Sequence, residues 1–187
     1  MPIPARTPVI VGVGQAEQRV DDPAAAVEPI DLLHNAVDAA LDDSGASSHL
    51  LSLIDTIAVV QIVSWNYPDP GALLGRRLGA DTVRRTVLTT VGGNSPQMLL
   101  NSVAADIANG TTDVAVLGGS ECMATRWRSR REPKVWLDWA QPDDPPCREV
   151  VGDDRPGSSP YELEHLASAP IQVYPLLETS LLSLIHI

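Results

Sequence analysis

Val114-Ala115-Val116-Leu117-Gly118-Gly119-Ser120-Glu121-Cys122-Met123 is the stretch that decides how most of the chain is read. Four apolar residues end at a glycine pair, the pattern of a short buried strand running into a loop. Upstream of it, Ser95 to Ile107 reads as a helix closed by Asn109-Gly110. Before that helix, Val83 to Thr90 reads as a strand and Gly71 to Leu78 as a short helix ended by Gly79. Ile54 to Val63 is a further buried strand. Asp31 to Leu41 places Leu32, Leu33, Ala36, Val37, Ala40 and Leu41 at helical spacing, with Asp31 as its cap and Ser44-Gly45 as its stop. Pro8 to Gly14 (P-V-I-V-G-V-G) reads as the first buried strand. Strand and helix alternate throughout, so residues 1–120 predict an α/β fold with a mostly parallel sheet and covering helices. Such sheets bind ligands beyond the carboxyl ends of their strands.

Composition narrows the function classes. The chain has 187 residues, a net charge of −11, and 44% hydrophobic and 20% charged residues. That length suits one domain, or one domain and part of another. An acidic chain gains nothing from counterion release, which disfavours nucleic acid as a partner. No apolar run is long enough to span a bilayer. Met1 to Thr7 lacks a signal-peptide pattern, so a cytoplasmic location is expected. Phe is absent, and Lys134 is the single lysine. Cys122 and Cys147 are the only cysteines and form no C-x-x-C pair, so neither a metal site nor a disulfide scaffold is expected.

Residues 121–181 lose the alternation and read as one long irregular excursion with short helices. Arg126, Arg128, Arg130 and Arg131 make it locally basic, and Asp143, Asp144, Asp153 and Asp154 locally acidic. A helix is expected to begin around Pro175. Leu182-Ser183-Leu184-Ile185-His186-Ile187 matches the frame translation of CTG-TCT-CTT-ATA-CAC-ATC, the mosaic end of a transposase adapter. Residues 182–187 are therefore expected to be an adapter scar that follows a truncated gene.

Few residues bear chemistry. Gly12-x-Gly14 lacks the third glycine and the immediate helix of a dinucleotide fingerprint. Gly93-Asn94-Ser95 joins a strand to the long helix, with Ser95 suited to the N-cap and Pro96 to the first helical position. The backbone N–H groups of such a terminus would bind an anionic or carbonyl group, or activate a cysteine, yet capping alone also accounts for these residues. Cys122 follows the last strand at the functional edge of the sheet, where it is either a weak ligand contact or a small buried apolar residue. His34, His49 and His165 show no catalytic or ligand spacing.

Together these segments resemble the N-terminal half of the thiolase superfamily, the acetyl-CoA acetyltransferases, and within it the sterol-carrier-protein-type, thiolase-like branch. The resemblance rests on Pro8 to Gly14, on Leu99-Leu100-Asn101-Ser102-Val103-Ala104 with Ile107-Ala108-Asn109-Gly110, and on Gly118-Gly119-Ser120-Glu121-Cys122-Met123. The last of these matches the family's G-G-x-E-x-M. The resemblance covers roughly residues 7–181. It implies a thiolase-like half-fold, with 1–120 as the α/β core and 121–181 as a truncated, loop-domain-like excursion. It further implies acyl-CoA thioester as substrate or ligand, coenzyme A chemistry in lipid metabolism, and a homodimer or homotetramer.

One departure matters. The family's nucleophilic cysteine falls on Gly93, and Cys122 falls on the variable position of G-G-x-E-x-M. Without a thiolate there is no acyl-enzyme of the usual kind. Two expectations follow from the resemblance. One is an acetyl-CoA acetyltransferase acting by thiolysis or Claisen condensation. The other is a non-catalytic protein that binds coenzyme A or a lipid thioester through Gly93, Asn94 and Ser95.

Overall fold

The computed structural model describes residues 4–131 and 133–185. Residues 1–3, Glu132, His186 and Ile187 lie outside the described residues, and with them the last two residues of the expected adapter scar. Two compact units are present, the first running to Gly152 and the second starting at Asp153.

The first unit is an α/β layer structure. Its helices are α1 (Pro29–Asp43), α2 (Ser47–Leu51), α3 (Pro70–Leu78), α4 (Ser95–Asn109) and α5 (Met123–Ser129). Its strands are β1 (Thr56–Val59), β2 (Arg85–Thr89), β3 (Ala115–Gly118) and β4 (Val150–Val151). They form one sheet in the order β3-β1-β2-β4, every pair parallel. In register, Val59 stands opposite both Leu88 and Gly118, so the strands end at one level.

Helices cover both faces, as a parallel sheet requires. Ile57 and Val59 share a buried cluster with Ile30, Leu33 and Val37 of α1 and Leu73 and Leu74 of α3. Ala58 points to the other face and packs with Leu99 and Val103 of α4. The strand–helix connections end as the glycines foretell. Gly79 and Gly110 sit at φ 67° and 82°, the left-handed region that closes α3 and α4.

Three expectations are corrected. Pro8 to Gly14 is not a buried strand: it runs extended without strand pairing, with Val9 69%, Ile10 73% and Val13 66% exposed. The Val13 N–H donates to Asp43 Oδ2 at 2.9 Å and ties the segment to the end of α1. Gly14 lies so close to α1 that a Cβ there would overlap the backbone of Ala36 and Ala40. Asp31 is not the cap of α1. Glu28 is, and Asp31 turns sideways to pair with Arg77 of α3. The helix expected near Pro175 starts earlier, as α7 below.

Polar side chains bind the irregular segments to this sheet. Buried Glu28 accepts from Tyr67 Oη (2.7 Å), the Ala140 N–H (2.9 Å) and Arg77 Nη2 (2.5 Å). Burial, then the bond to Glu28, raises the Tyr67 phenol well above its ordinary range. Arg85 of β2 grips Asp106 of α4 and Glu149 just before β4. Trp65 meets Trp139 edge to face at 5.1 Å and donates from Nε1 to the Ala140 carbonyl. Residues 121–152 are thus part of the first unit, past the change of sequence texture at residue 120.

The second unit holds α6 (Pro160–Glu164) and α7 (Pro170–Ile185). α6 begins with a reciprocal Ser159–Glu162 capping box. Pro175 lies inside α7, and neither helix buries a residue. Leu182 to Ile185, the described part of the expected scar, continue α7 with apolar Leu182, Leu184 and Ile185 exposed.

Two outcomes are expected. Glu28→Ala leaves the Ala140 N–H and Tyr67 hydroxyl without their acceptor and costs about 3 kcal/mol, the low end for breaking a buried pair because Asp31 still holds Arg77. Urea denaturation measures it. Glu149 is held below the ordinary carboxylate range by its hydrogen bond to Arg85. Its stabilisation is therefore present above pH 4.5 and lost as pH falls through the lowered value. Glu149→Gln should be less stable than the native chain at pH 7, and the gap should narrow as the pH is taken below 4.5, read from urea midpoints across that range.

Candidate functional site

The carboxyl ends of β1 and β3 meet the start of α4. Between them opens an apolar cavity of about 530 Å³. Val60, Pro96, Leu99 and Leu117 form its walls, and Gln61 and Glu121 supply polar atoms. At Gly118 a Cβ would stand 2.6 Å from Leu33 Cδ1, so the Leu33 side chain would have to shift to admit one. Glycine at that position lets the strand end lie against α1 while the chain turns into the cavity.

Glu121 shapes the opposite rim. Its carboxylate accepts from the Val63 N–H at 2.5 Å and from the Ser64 N–H at 2.9 Å. Ser64 Oγ in turn accepts from the Cys122 N–H at 3.0 Å. Arg126 donates to the Ser64 carbonyl and lies 5.9 Å over the Trp65 ring. The turn after β1 is thereby fixed by the residues after β3. Gln61 is held from below, its N–H donating to Thr89 Oγ1 at 3.0 Å.

The residues singled out from sequence fall in different places. Gly92, Gly93 and Asn94 are exposed in the turn before α4. A Cβ added at Gly93 would meet nothing within 4 Å, so the position has room for a side chain. Ser95 is not the N-cap as expected; Asn94 is. Ser95 is 1% exposed, and its hydroxyl donates back to the Thr90 carbonyl at 2.8 Å. It therefore anchors the turn and offers no free nucleophile. Pro96, one residue on, does line the cavity.

Cys122 does not reach that turn. Its thiol packs among Leu32, Leu137 and Trp139, accepting from Gln18 Nε2 at 3.4 Å. Burial raises its pKa, and the Glu121 and Glu28 charges add to this. Such a thiol is protonated and inert at neutral pH. Cys147 is buried as well, with its sulfur against the Thr86 and Glu149 carbonyls. Among the described residues, no group of three His, Cys, Asp or Glu is placed to hold a metal ion. No described helix is long and apolar enough to cross a membrane.

Sequence reasoning missed Val60, Gln61 and the Glu121 bridge. No local signal marks them, because the bridge exists only where two loops distant in sequence meet.

No protein-family model matches the chain, and no curated protein does. Among solved structures, the chain is similar to a monomeric SCP2-thiolase-like protein type 1 from Mycobacterium smegmatis. The identity is 36%, the TM-score 0.54, and the match covers 64% of this chain and 24% of that one. The chain thus spans about a quarter of the length of that relative. Its fold is thiolase-like: a four-strand, all-parallel sheet covered by helices.

Proposed function

We propose that the chain is a thiolase-like domain that binds an acyl-CoA thioester without turning it over. The observation that carries this reading is Gly93. Pro96 at the start of α4 lines an apolar cavity, and the turn before it has space at residue 93 yet carries no thiol. The apolar walls suit an acyl chain, and the α4 N-terminus suits the thioester oxygen or another anionic group. Gly93 and Asn94 would contribute backbone to that contact, while Ser95 supports the turn from behind. Cys122 has no part in it.

The acetyl-CoA acetyltransferase reading, by thiolysis or Claisen condensation, shares the same fold but needs a nucleophile at residue 93. It also takes support from the thiolase-like relative, and its activity would belong to a longer protein. That relative is monomeric, which weighs against the homodimer or homotetramer expected from sequence.

Calorimetric titration with coenzyme A and with acetoacetyl-CoA should show saturable binding, and acetoacetyl-CoA should not be cleaved. Absence of saturation sinks the binding reading, and turnover by the native chain sinks the non-catalytic one. Gly93→Cys provides the complementary test. A thiol there has space and sits at a helix N-terminus, where its pKa falls. It should be alkylated by iodoacetamide about tenfold faster at pH 7 than an ordinary cysteine, as for a pKa lowered by about one unit. Incubation with acetyl-CoA should add one acetyl group to this variant and none to the native chain, as read by mass spectrometry.

A further inference from the structure

Arg126 serves the rim of the cavity beside α4, but the basic run that follows it does not. Residues 124–139 hold four arginines and Lys134 against Glu132 and Asp138, a net charge of +3 in a chain of −11. Counter-charges are missing as well. Seven of the chain's twelve arginines pair with a carboxylate among the described residues. Four of the other five are Arg126, Arg128, Arg130 and Arg131. Arg128 donates to the Val20 carbonyl at 2.6 Å, and Arg130 and Arg131 are exposed without an ion pair among the described residues. In a chain with 24 acidic residues, arginines gathered without partners mark a face suited to negative charge from outside.

The same segment carries two of the four tryptophans outward. Trp127 is 62% and Trp136 81% exposed, and neither indole N–H donates a hydrogen bond among the described residues. Trp65 and Trp139, by contrast, both donate from Nε1 and pack against each other. Local packing sets the outward direction. Thr125 and Ser129 form the buried side of α5, and Trp127 lies two residues from each, on the opposite side. Leu137 and Trp139 are buried with Cys122, while Trp136 and Asp138 alternate with them and are exposed. The Val135 N–H donates to the Ser129 carbonyl at 2.9 Å, which folds the chain back and sets Trp136 beside the end of α5.

Indole settles at a membrane–water boundary, because its ring favours apolar surroundings while its N–H needs a polar partner. Basic side chains beside it are attracted to anionic headgroups. We propose that Trp127 and Trp136, with Arg128, Arg130 and Arg131, form a docking surface for an anionic lipid bilayer. Peripheral attachment combines an apolar group with a basic patch in this way. The acidity of the rest of the chain does not prevent it, since charges more than about 8 Å away are screened at physiological salt. A free phosphate would engage the arginines alone and leave both rings in water. Neither ring borders the cavity beside α4, and a lipid surface needs no enclosing pocket. The inference is independent of the acyl-CoA reading.

The test is co-sedimentation of the full chain with vesicles of phosphatidylcholine containing one quarter phosphatidylserine, and with vesicles of phosphatidylcholine alone. Saturable binding to the anionic vesicles is expected, at least tenfold tighter than to the neutral ones, with a blue shift of indole emission. Arg130→Gln combined with Arg131→Gln should weaken it by about 25-fold, or about fivefold for each basic residue near an anionic surface. Trp127→Ser combined with Trp136→Ser should remove the blue shift. All four positions are exposed, and an unchanged circular dichroism spectrum verifies the fold of both variants. No binding to anionic vesicles overturns the proposal. Equal binding to neutral vesicles also overturns it, because apolar side chains elsewhere then suffice. So does undiminished binding by the arginine variant, or a blue shift that survives in the tryptophan variant. Release of the bound chain by equimolar coenzyme A overturns it in favour of a phosphate site. Tighter binding to a single-stranded oligonucleotide than to the anionic vesicles overturns it in favour of nucleic acid.

Discussion

Burial of β1 on both faces and both edges is the constraint from which the first unit follows. Ile57, Ala58 and Val59 are fully inaccessible to solvent. Such a strand tolerates no polar face, so helices must lie on both sides of it and strands on both edges. The start of β1 is polar and buried, and there its hydrogen bonds set the register. Asp55 accepts from the Asp113 N–H at 2.8 Å, and Thr56 Oγ1 meets Thr112 Oγ1 at 3.0 Å. Fixing β3 to β1 at that end brings Gly118 level with Val59 at the other. The cavity beside α4 is a consequence of that levelling, because both chains turn away from the sheet at the same height.

Single side chains then do for the loops what ladders do for strands. Glu28 joins α1, α3, the Tyr67 turn and the Ala140 backbone; Arg85 joins β2, α4 and the approach to β4; Glu121 joins the ends of β1 and β3. Each satisfies several partners at once, and each is charged. A carboxylate or guanidinium accepts or donates in several directions, which suits it to junctions where three chain segments meet. The excursion after β3 lacks sequence periodicity for this reason: its placement depends on these junctions and on the Trp65–Trp139 contact.

Periodicity made the interior of the first unit legible. Helices α1, α3 and α4 and strands β1, β2 and β3 follow their apolar patterns and glycine stops to within a few residues. The failures have physical causes. Pro8 to Gly14 has the pattern of a buried strand, but burial needs partners on both edges, and β3 does not reach it with a hydrogen bond. β4 escaped notice because two residues carry no period; it is specified by the Leu88 and Thr90 N–H groups, which donate to the Glu149 and Val151 carbonyls. Ser95 had the right chemistry for a cap and was used differently, turned back onto Thr90. At the site, the glycine turn was visible in sequence, whereas Gln61 and the Glu121 bridge required the fold.

Gly93 differs from the other glycines that lie close to helices. A missing side chain can mean that the backbone has closed over the space, as at Gly14, where the Ala36 and Ala40 backbone takes the room of a Cβ. At Gly93 it does not: the space is open, the turn is held by Ser95 from beneath, and the helix dipole still points into it. The two cysteines the chain does possess are buried elsewhere, Cys122 among apolar side chains that push its thiol pKa up and Cys147 against carbonyl oxygens. An anion or thioester carbonyl needs only the N–H groups and the dipole, which glycine leaves unobstructed. Acyl transfer needs in addition one sulfur atom. At residue 93 the fold leaves room for that side chain, and the sequence supplies none.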